Sequence, residues 1–434
     1  MFEFARTRRF APLFATQFLG AFNDNLFKTA LVTLISFYSL GSDSGVRPEI
    51  LVAISTLLFV LPYFLFSSIS GQMSTRWNKA TLAKATKIWE VLIMLVAAYG
   101  FINNQIWLLM GCLFMMGTQS TVFGPVKYAI LPEYLPNKEL LNGNSLIESG
   151  TFLAILLGQI FGALMVAGGT YVVVAVIVLV AILGTVTSFY MPATPPQNPA
   201  QKVQINIVSS TRDLLQQAAS IKPIKTAIIG ISWFWLVGSV YTTQLSSFAK
   251  TYLGDSEALF SVLLAMFSIG IGIGSILCAK LSHGRLNLRV VLWGAAGMAI
   301  SGVLFAVHTF GLPPANPDTS IWIFLSQAQN YYLLGLLTLM GFFGGFFSVP
   351  LYTWLQTASS DAFRAQAVAA NNIINGLFMV AGALISSVVI FVFDSLGLLF
   401  LILALGNIGI IYFLSRLSPE MLGNHAVTDT QAKQ

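Results

Sequence analysis

Twelve apolar runs follow one another along this chain, each long enough to cross a hydrocarbon core of about 30 Å as a helix rising about 1.5 Å per residue. They cover residues 10–40, 49–71, 81–102, 105–128, 141–166, 170–191, 224–249, 257–281, 288–309, 330–355, 366–391 and 397–415. The longest break, Pro192 to Pro223, opens with Pro192, Pro195, Pro196 and Pro199, a composition that makes a linker and not a span. Inside it, Ser209, Ser210 and Thr211 offer a cap to a short amphipathic helix lying at the membrane surface. A second Pro-rich break, Gly311 to Ser320, leads into a short interfacial helix over 321–329 anchored by Trp322. The pattern predicts an all-α membrane protein with residues 1–191 as one six-helix bundle, 192–223 as the linker, 224–416 as a second bundle and 417–434 as a tail.

The two halves resemble each other. Phe123-Gly124-Pro125-Val126-Lys127-Tyr128 ends the fourth span much as Phe347-Ser348-Val349-Pro350-Leu351-Tyr352 ends the tenth. A short polar loop and an Asn-bearing helix start follow in each case, with Asn142 and Asn144 in one half and Asn371, Asn372 and Asn375 in the other. Gly71 to Arg76 after span two matches Gly274 to Lys280 after span eight in position. Parallel repeats of this kind imply a solute site between pseudo-symmetric bundles near the midplane.

Composition sharpens the class. Of the 434 residues 56% are hydrophobic and 9% charged, and the mean hydropathy is +0.79, which leaves too little charge to cover the surface of a water-soluble domain of this length. The net charge of +6 does not point to nucleic acid, because the Lys and Arg gather between alternate spans. Nineteen of them, from Arg6, Arg8 and Arg9 to Arg416 and Lys433, fall on one side; Arg47 and Lys250 fall on the other, and Lys28 is embedded. The positive-inside bias places both termini in the cytoplasm. The basic start and overlong first run, interrupted by Asn and Asp, read as a retained span and not a signal peptide.

Ionisable groups inside hydrocarbon are costly and default to function. Well inside the spans lie Asp24, Glu90 and Glu148 among the acids, and Lys28, Lys87 and Lys127 among the bases, all in spans one to five. On the first helix Gln17, Asp24 and Lys28 share one stripe, with Asn25 beside it. Asp24 and Lys28, four apart, either neutralise each other or line a solute path. Lys87 and Glu90, three apart, are able to pair on one helix, and Lys127 is either a snorkelling cation or the partner of Glu148 across a cytoplasmic gate. Spans seven to twelve offer only neutral polar groups at this depth, such as Tyr241, Thr242, Thr243, Gln244, Tyr352, Gln356, Asn371 and Asn375. A cavity between the halves is therefore expected to be charged on one wall and neutral on the other.

Glycine-rich stretches such as Gly270-Ile271-Gly272-Ile273-Gly274 and Gly158-Gln159-Ile160-Phe161-Gly162 lie inside spans and read as close helix packing, not as nucleotide loops. The cysteines, Cys112 and Cys278, both sit in apolar runs, and His283, His308 and His425 are scattered. No disulfide framework, metal site or cofactor is expected, and no motif argues for enzyme chemistry.

Twelve spans as six plus six, with signals after spans two and eight, resemble the major facilitator superfamily. Its loop after span two carries a Gly, an Asp-Arg pair and basic residues; here stand Gly71, Thr75, Arg76, Asn78 and Lys79, without the acid. Three stretches further resemble the bacterial lysophospholipid transporter family: Phe22-Asn23-Asp24-Asn25, then Phe123 to Glu133, then Asn142 to Glu148. Some of its members carry an Arg near Thr242, where this chain has Tyr241-Thr242-Thr243-Gln244.

The resemblance implies a flippase of the bacterial inner membrane. It would move lysophosphatidylethanolamine and related lysolipids from the outer to the inner leaflet for reacylation, by alternating access with a lateral opening. Its partners would be membrane lipids and a cytoplasmic acyltransferase and acyl carrier protein synthetase, with no nucleic acid. Lys28 or Lys127 would meet the head-group phosphate and Asp24, Glu90 or Glu148 the ammonium, with Asn25, Gln17 and Tyr128 beside them and Lys127, Glu148 and Arg76 as the gate. Two other readings stand beside it. One is a proton-coupled facilitator for a drug or small polar solute, resting on Asp24 as an embedded acid, and the other is a non-transporting receptor or scaffold.

Overall fold

The computed structural model describes residues 2–254, 257–313 and 320–423; of the expectations above, most of the 311–320 break and the tail with His425 and Lys433 lie outside the described residues. In chain order the helices are α1 (Ala11–Phe37), α2 (Pro48–Arg76), α3 (Lys79–Ile102), α4 (Ile106–Tyr134), α5 (Asn137–Ala167), α6 (Thr170–Phe189), α7 (Ile207–Ser220), α8 (Lys222–Phe248), α9 (Glu257–Leu281), α10 (Arg289–Phe310), α11 (Ile321–Ser326), α12 (Ala328–Ala358), α13 (Asp361–Phe393) and α14 (Leu396–Leu417). Eleven of them are long and apolar enough to cross a membrane. The helix α1 has the length, 27 residues, and is set apart by Gln17, Asn23, Asp24, Asn25 and Lys28. No strand occurs among the described residues, and the chain is a multi-pass membrane protein.

Local chemistry sets the helix ends. Proline opens α2 and lies in the first turn of α1 and α8, where a missing N–H costs nothing. The side chain of Asn78 caps α3 by accepting from the Ala80 and Thr81 amides at 2.9 and 3.2 Å. Between α5 and α6 the chain turns at Gly169, whose φ of 95° an L side chain rarely adopts. The amphipathic helix expected in the linker is α7, but its cap differs from the expectation. Asn206 accepts the Ser209 amide at 3.2 Å, while Ser210 is buried and bonded to Ser68 and to Gln72 Nε2 at 2.7 Å. The linker is thereby pinned, since Gln204 N also donates to Gln72 Oε1 at 2.7 Å and Asn198 N to Thr75 O at 3.0 Å.

The chain forms two compact units. The first takes residues up to Asn137, Leu153–Ser220 and Gln356–Ile373; the second takes Lys138–Phe152, Ile221–Leu355 and the chain from Ile374 onward. The first half of α5 therefore belongs with the helices of the second half of the chain, and the first half of α13 with those of the first.

In the first unit, Leu26, Phe27, Leu31, Met94, Leu113 and Ile177 centre the core. Here α5 lies on α1 through Gly158 and Gly162, where an added Cβ would stand 2.5 Å from Phe22 O and 2.8 Å from Leu26 O. In the second unit, Gly270 and Gly274 of α9 sit against the backbone of Thr338 and Phe342, so this run serves close packing as expected, and Gly341 and Gly345 of α12 do the same against Phe267 and Gly274.

Candidate functional site

The α1 stripe is where charge and unspent bonding capacity coincide. Ser120 Oγ on α4 donates to Asp24 Oδ2 at 2.6 Å, and Asp24 Oδ1 has no hydrogen-bond partner. One turn on, the Lys28 ammonium lies 5.4 Å from the centroid of Phe59 on α2, whose ring is followed by Tyr63 at 6.4 Å. Both charged residues are half-buried, and no ion pair within 4.0 Å joins them among the described residues. The i,i+4 neutralisation open to them in sequence is not what the side chains do.

A second layer, fully buried, lies beside it. Lys87 Nζ and Glu90 Oε2 pair at 2.6 Å on α3, each about 1% exposed, as their spacing allows. Asn23 Nδ2 donates to Glu90 Oε1 at 2.9 Å, and Gln119 Nε2 reaches Glu90 Oε2 at 3.3 Å and Thr86 O at 3.2 Å. The Lys87 ammonium also stands 5.1 Å from the Phe123 ring centroid and contacts the space where Gly20 lacks a side chain. Glu90 thus has two amide donors and a neutralising cation within the bundle, a satisfied buried network in place of a ligand-ready acid. The sequence reading did not single out Asn23, Gln119 or Ser120. Asn23 stood inside the Phe22-Asn23-Asp24-Asn25 stretch without a role of its own, and the signal of Gln119 and Ser120 was neutral polarity inside an apolar run.

Other predicted residues fall in different surroundings. Gln17 is buried on α1, and Asn25 turns back to donate to Ala21 O at 2.8 Å. The Lys127 ammonium lies 4.6 Å from the Tyr128 ring, and Gln356 Nε2 donates to Tyr128 O at 3.1 Å. Arg76, half-buried, stacks 5.6 Å from Trp77, and these residues belong to the first unit, whereas buried Glu148 belongs to the second. Thr75, in place of the superfamily acid, donates to Gly71 O at 3.0 Å and approaches Ala362 O at 3.4 Å, a neutral contact at the start of α13. Nearby, Lys79 pairs with Glu133 at 2.5 Å.

The neutral residues of the second half of the chain also separate. Tyr241 is about 1% exposed and stacked on Phe400 at 5.0 Å, with Phe267 and Phe305 around it, so it stands in an aromatic core. Thr242 and Gln244 are half-buried. Tyr352 accepts from Trp235 Nε1 at 2.8 Å, with Trp235 stacked on Phe152 at 5.9 Å, and Asn375 accepts from Ser232 at 2.8 Å. Asn371 is buried in the first unit with neither amide atom bonded. Among the described residues no group of three or more His, Cys, Asp or Glu is placed to hold a metal.

Known proteins match this architecture. A model of the Major Facilitator Superfamily matches residues 13–328. Proteins named lysophospholipid transporter LplT are similar to the chain: one from Escherichia coli is 28% identical over 364 residues, covering 82% of each sequence. Another, from Enterobacter sp., is 28% identical over 369 residues, covering 83% of each. The Escherichia coli fucose:proton symporter has a TM-score of 0.69 at 14% identity, covering 94% of this chain and 98% of its own. The human organic anion transporter reaches 0.71 at 12% identity, covering 93% and 99%. At these identities the solved structures speak for the fold alone. With the apolar helices and the family match in agreement, this chain belongs to the major facilitator superfamily.

Proposed function

We propose that the protein is a lysophospholipid flippase with α1 as its twelfth span, moving lysophosphatidylethanolamine and related lysolipids from the outer to the inner leaflet of a bacterial inner membrane for reacylation. Transport is by alternating access with a lateral opening to lipid, without chemical change to the solute. The names of the relatives supply the solute class. The observation that carries the reading is the unpaired opposition of Asp24 and Lys28 on one stripe of α1, with Asp24 Oδ1 still able to accept. A zwitterionic head group has the matching poles. Its ammonium donates to Asp24 while Ser120 steadies the other carboxylate oxygen, and its phosphate meets Lys28. Glu90 is occupied by Lys87, Asn23 and Gln119, so it supports α1, while Asp24 beside it keeps an open carboxylate oxygen for the ammonium. The acyl chain takes the uncharged side, where each buried methylene contributes about 0.8 kcal/mol. A cytoplasmic acyltransferase and acyl carrier protein synthetase would consume the product.

Uptake of head-group-labelled lysolipids into spheroplasts tests this. Wild-type protein is expected to import lysophosphatidylethanolamine, and Lys28→Gln to lower the rate about tenfold, the scale of one charge-assisted hydrogen bond. Lysolipid-independent solute uptake that follows a proton gradient would replace this reading with that of a proton-coupled facilitator.

A further inference from the structure

The second unit holds a recess that shares no residue with the α1 site. Where α10 begins and α14 ends, a cavity of about 360 Å³ is lined by Arg289, Leu292, Trp293, Ala296, Ile411 and Leu422, over a floor of fully buried Met421. The chain returns after α14 as a short turn, Pro419–Leu422, and Arg289 straps it down: Nε and Nη2 donate to Leu422 O at 3.1 and 2.7 Å. The guanidinium is thereby fixed at the mouth of the cavity. A second cation, Arg416, lies 5.4 Å from the Tyr412 ring near the same end of α14. Glu420, the acid in the turn, is not a lining residue.

Below this rim the walls are apolar and open outward. Trp293 is 71% exposed, and the surface continues along α10 through Ile300, Leu304 and Val307 and along α14 through Ile408 and Leu405, all exposed. In a membrane protein that surface meets acyl chains, and the Arg and Trp at its end lie at head-group depth. On the positive-inside orientation this end is cytoplasmic. Cationic recesses between spans on that side suit anionic head groups, while the trough beneath suits a chain. We infer that the α10–α14 groove holds one resident anionic diacyl phospholipid of the cytoplasmic leaflet, with its phosphate on Arg289 and the start of one chain between Trp293, Ala296 and Ile411. The net positive rim selects against zwitterionic lipid.

Native mass spectrometry of the purified full-length chain in detergent tests the site without any transport measurement, so it stands or falls apart from the flippase reading. The probes are dioleoylphosphatidylglycerol, dioleoylphosphatidylethanolamine and lysophosphatidylethanolamine, added singly. One phosphatidylglycerol is expected to bind about fivefold more tightly than either zwitterion, the factor that one interfacial cation is worth. Arg289→Gln and Trp293→Ala are expected to abolish this preference. Arg289→Lys, which keeps the charge, should retain it, and Lys84→Gln, which removes a cation of α3, should leave it unchanged. Equal binding of all three lipids, or a preference that survives Arg289→Gln in protein with an unaltered melting temperature, overturns the assignment.

Discussion

Asp24 on α1 and Ser120 on α4, 96 residues apart in sequence, meet through one 2.6 Å hydrogen bond that uses one carboxylate oxygen and leaves its twin unbonded. An acceptor left open inside a hydrocarbon-spanning bundle costs free energy unless something donates to it, and a solute head group is such a donor. Asp24→Asn keeps the shape and removes the charge. Lysophosphatidylethanolamine uptake is expected to fall at least tenfold, with protein yield and melting temperature close to wild type.

Ser120→Ala leaves the carboxylate in place without its anchor. The expected effect is a several-fold rise in the concentration of lysolipid needed for half-maximal uptake, on the scale of about 1 kcal/mol for a hydrogen bond, with a smaller change in maximal rate. A drop in maximal rate alone would assign Ser120 to a step after binding.

The Lys87–Glu90 pair is predicted to matter for stability before transport. Lys87→Met or Glu90→Leu alone strands a buried charge and is expected to cost about 3–5 kcal/mol, read as a lower melting temperature in detergent. The double substitution removes both charges and should recover a large part of that loss.

Close backbone contact makes two glycines of similar sequence context behave oppositely. A Cβ at Gly158 would stand 2.5 Å from Phe22 O, whereas at Gly111 it meets nothing within 4 Å. Fluorescence-detected size exclusion should show Gly158→Val aggregating or lost and Gly111→Ala as monodisperse as wild type.

Pinning of the linker is open to proteolysis. Ser210→Val breaks the bonds to Ser68 and Gln72, and tryptic cleavage after exposed Lys202 is expected to accelerate about fivefold, the population shift that about 1 kcal/mol of local unfolding brings. Cleavage at the wild-type rate would mean that the Gln204 and Asn198 contacts hold the segment by themselves.

Much of this architecture is legible in the residues because hydrocarbon imposes length and polarity rules on every span. The eleven apolar helices, the Pro-rich linker, the glycine seams and the Lys87–Glu90 pair follow from spacing and composition. What sequence spacing does not carry is the choice of partner across helices. Asn23, Gln119 and Ser120 are neutral residues whose role comes from facing Glu90 and Asp24, and only the packing of α1, α3 and α4 brings them there. Tyr241 shows the same limit in reverse. It stands in a polar stretch, Tyr241-Thr242-Thr243-Gln244, that does not mark which of its members turns inward, and the packing sets its ring against Phe400. The cap of α7 was missed for a local reason, since Asn206 and Ser209 are both good caps and burial of Ser210 decided between them.

The placement of the buried charges also bears on how the chain is built into the bilayer. Lys87 and Glu90 travel on the same helix, so the two buried charges of α3 enter the bilayer paired with each other. Asp24 shares α1 with Lys28 without bonding to it, and its own anchor, Ser120, is synthesised 96 residues later on α4. Until that helix arrives, the Asp24 carboxylate lacks the hydrogen bond it has in the finished bundle, so the polar stripe of α1 is completed only once α4 has been made.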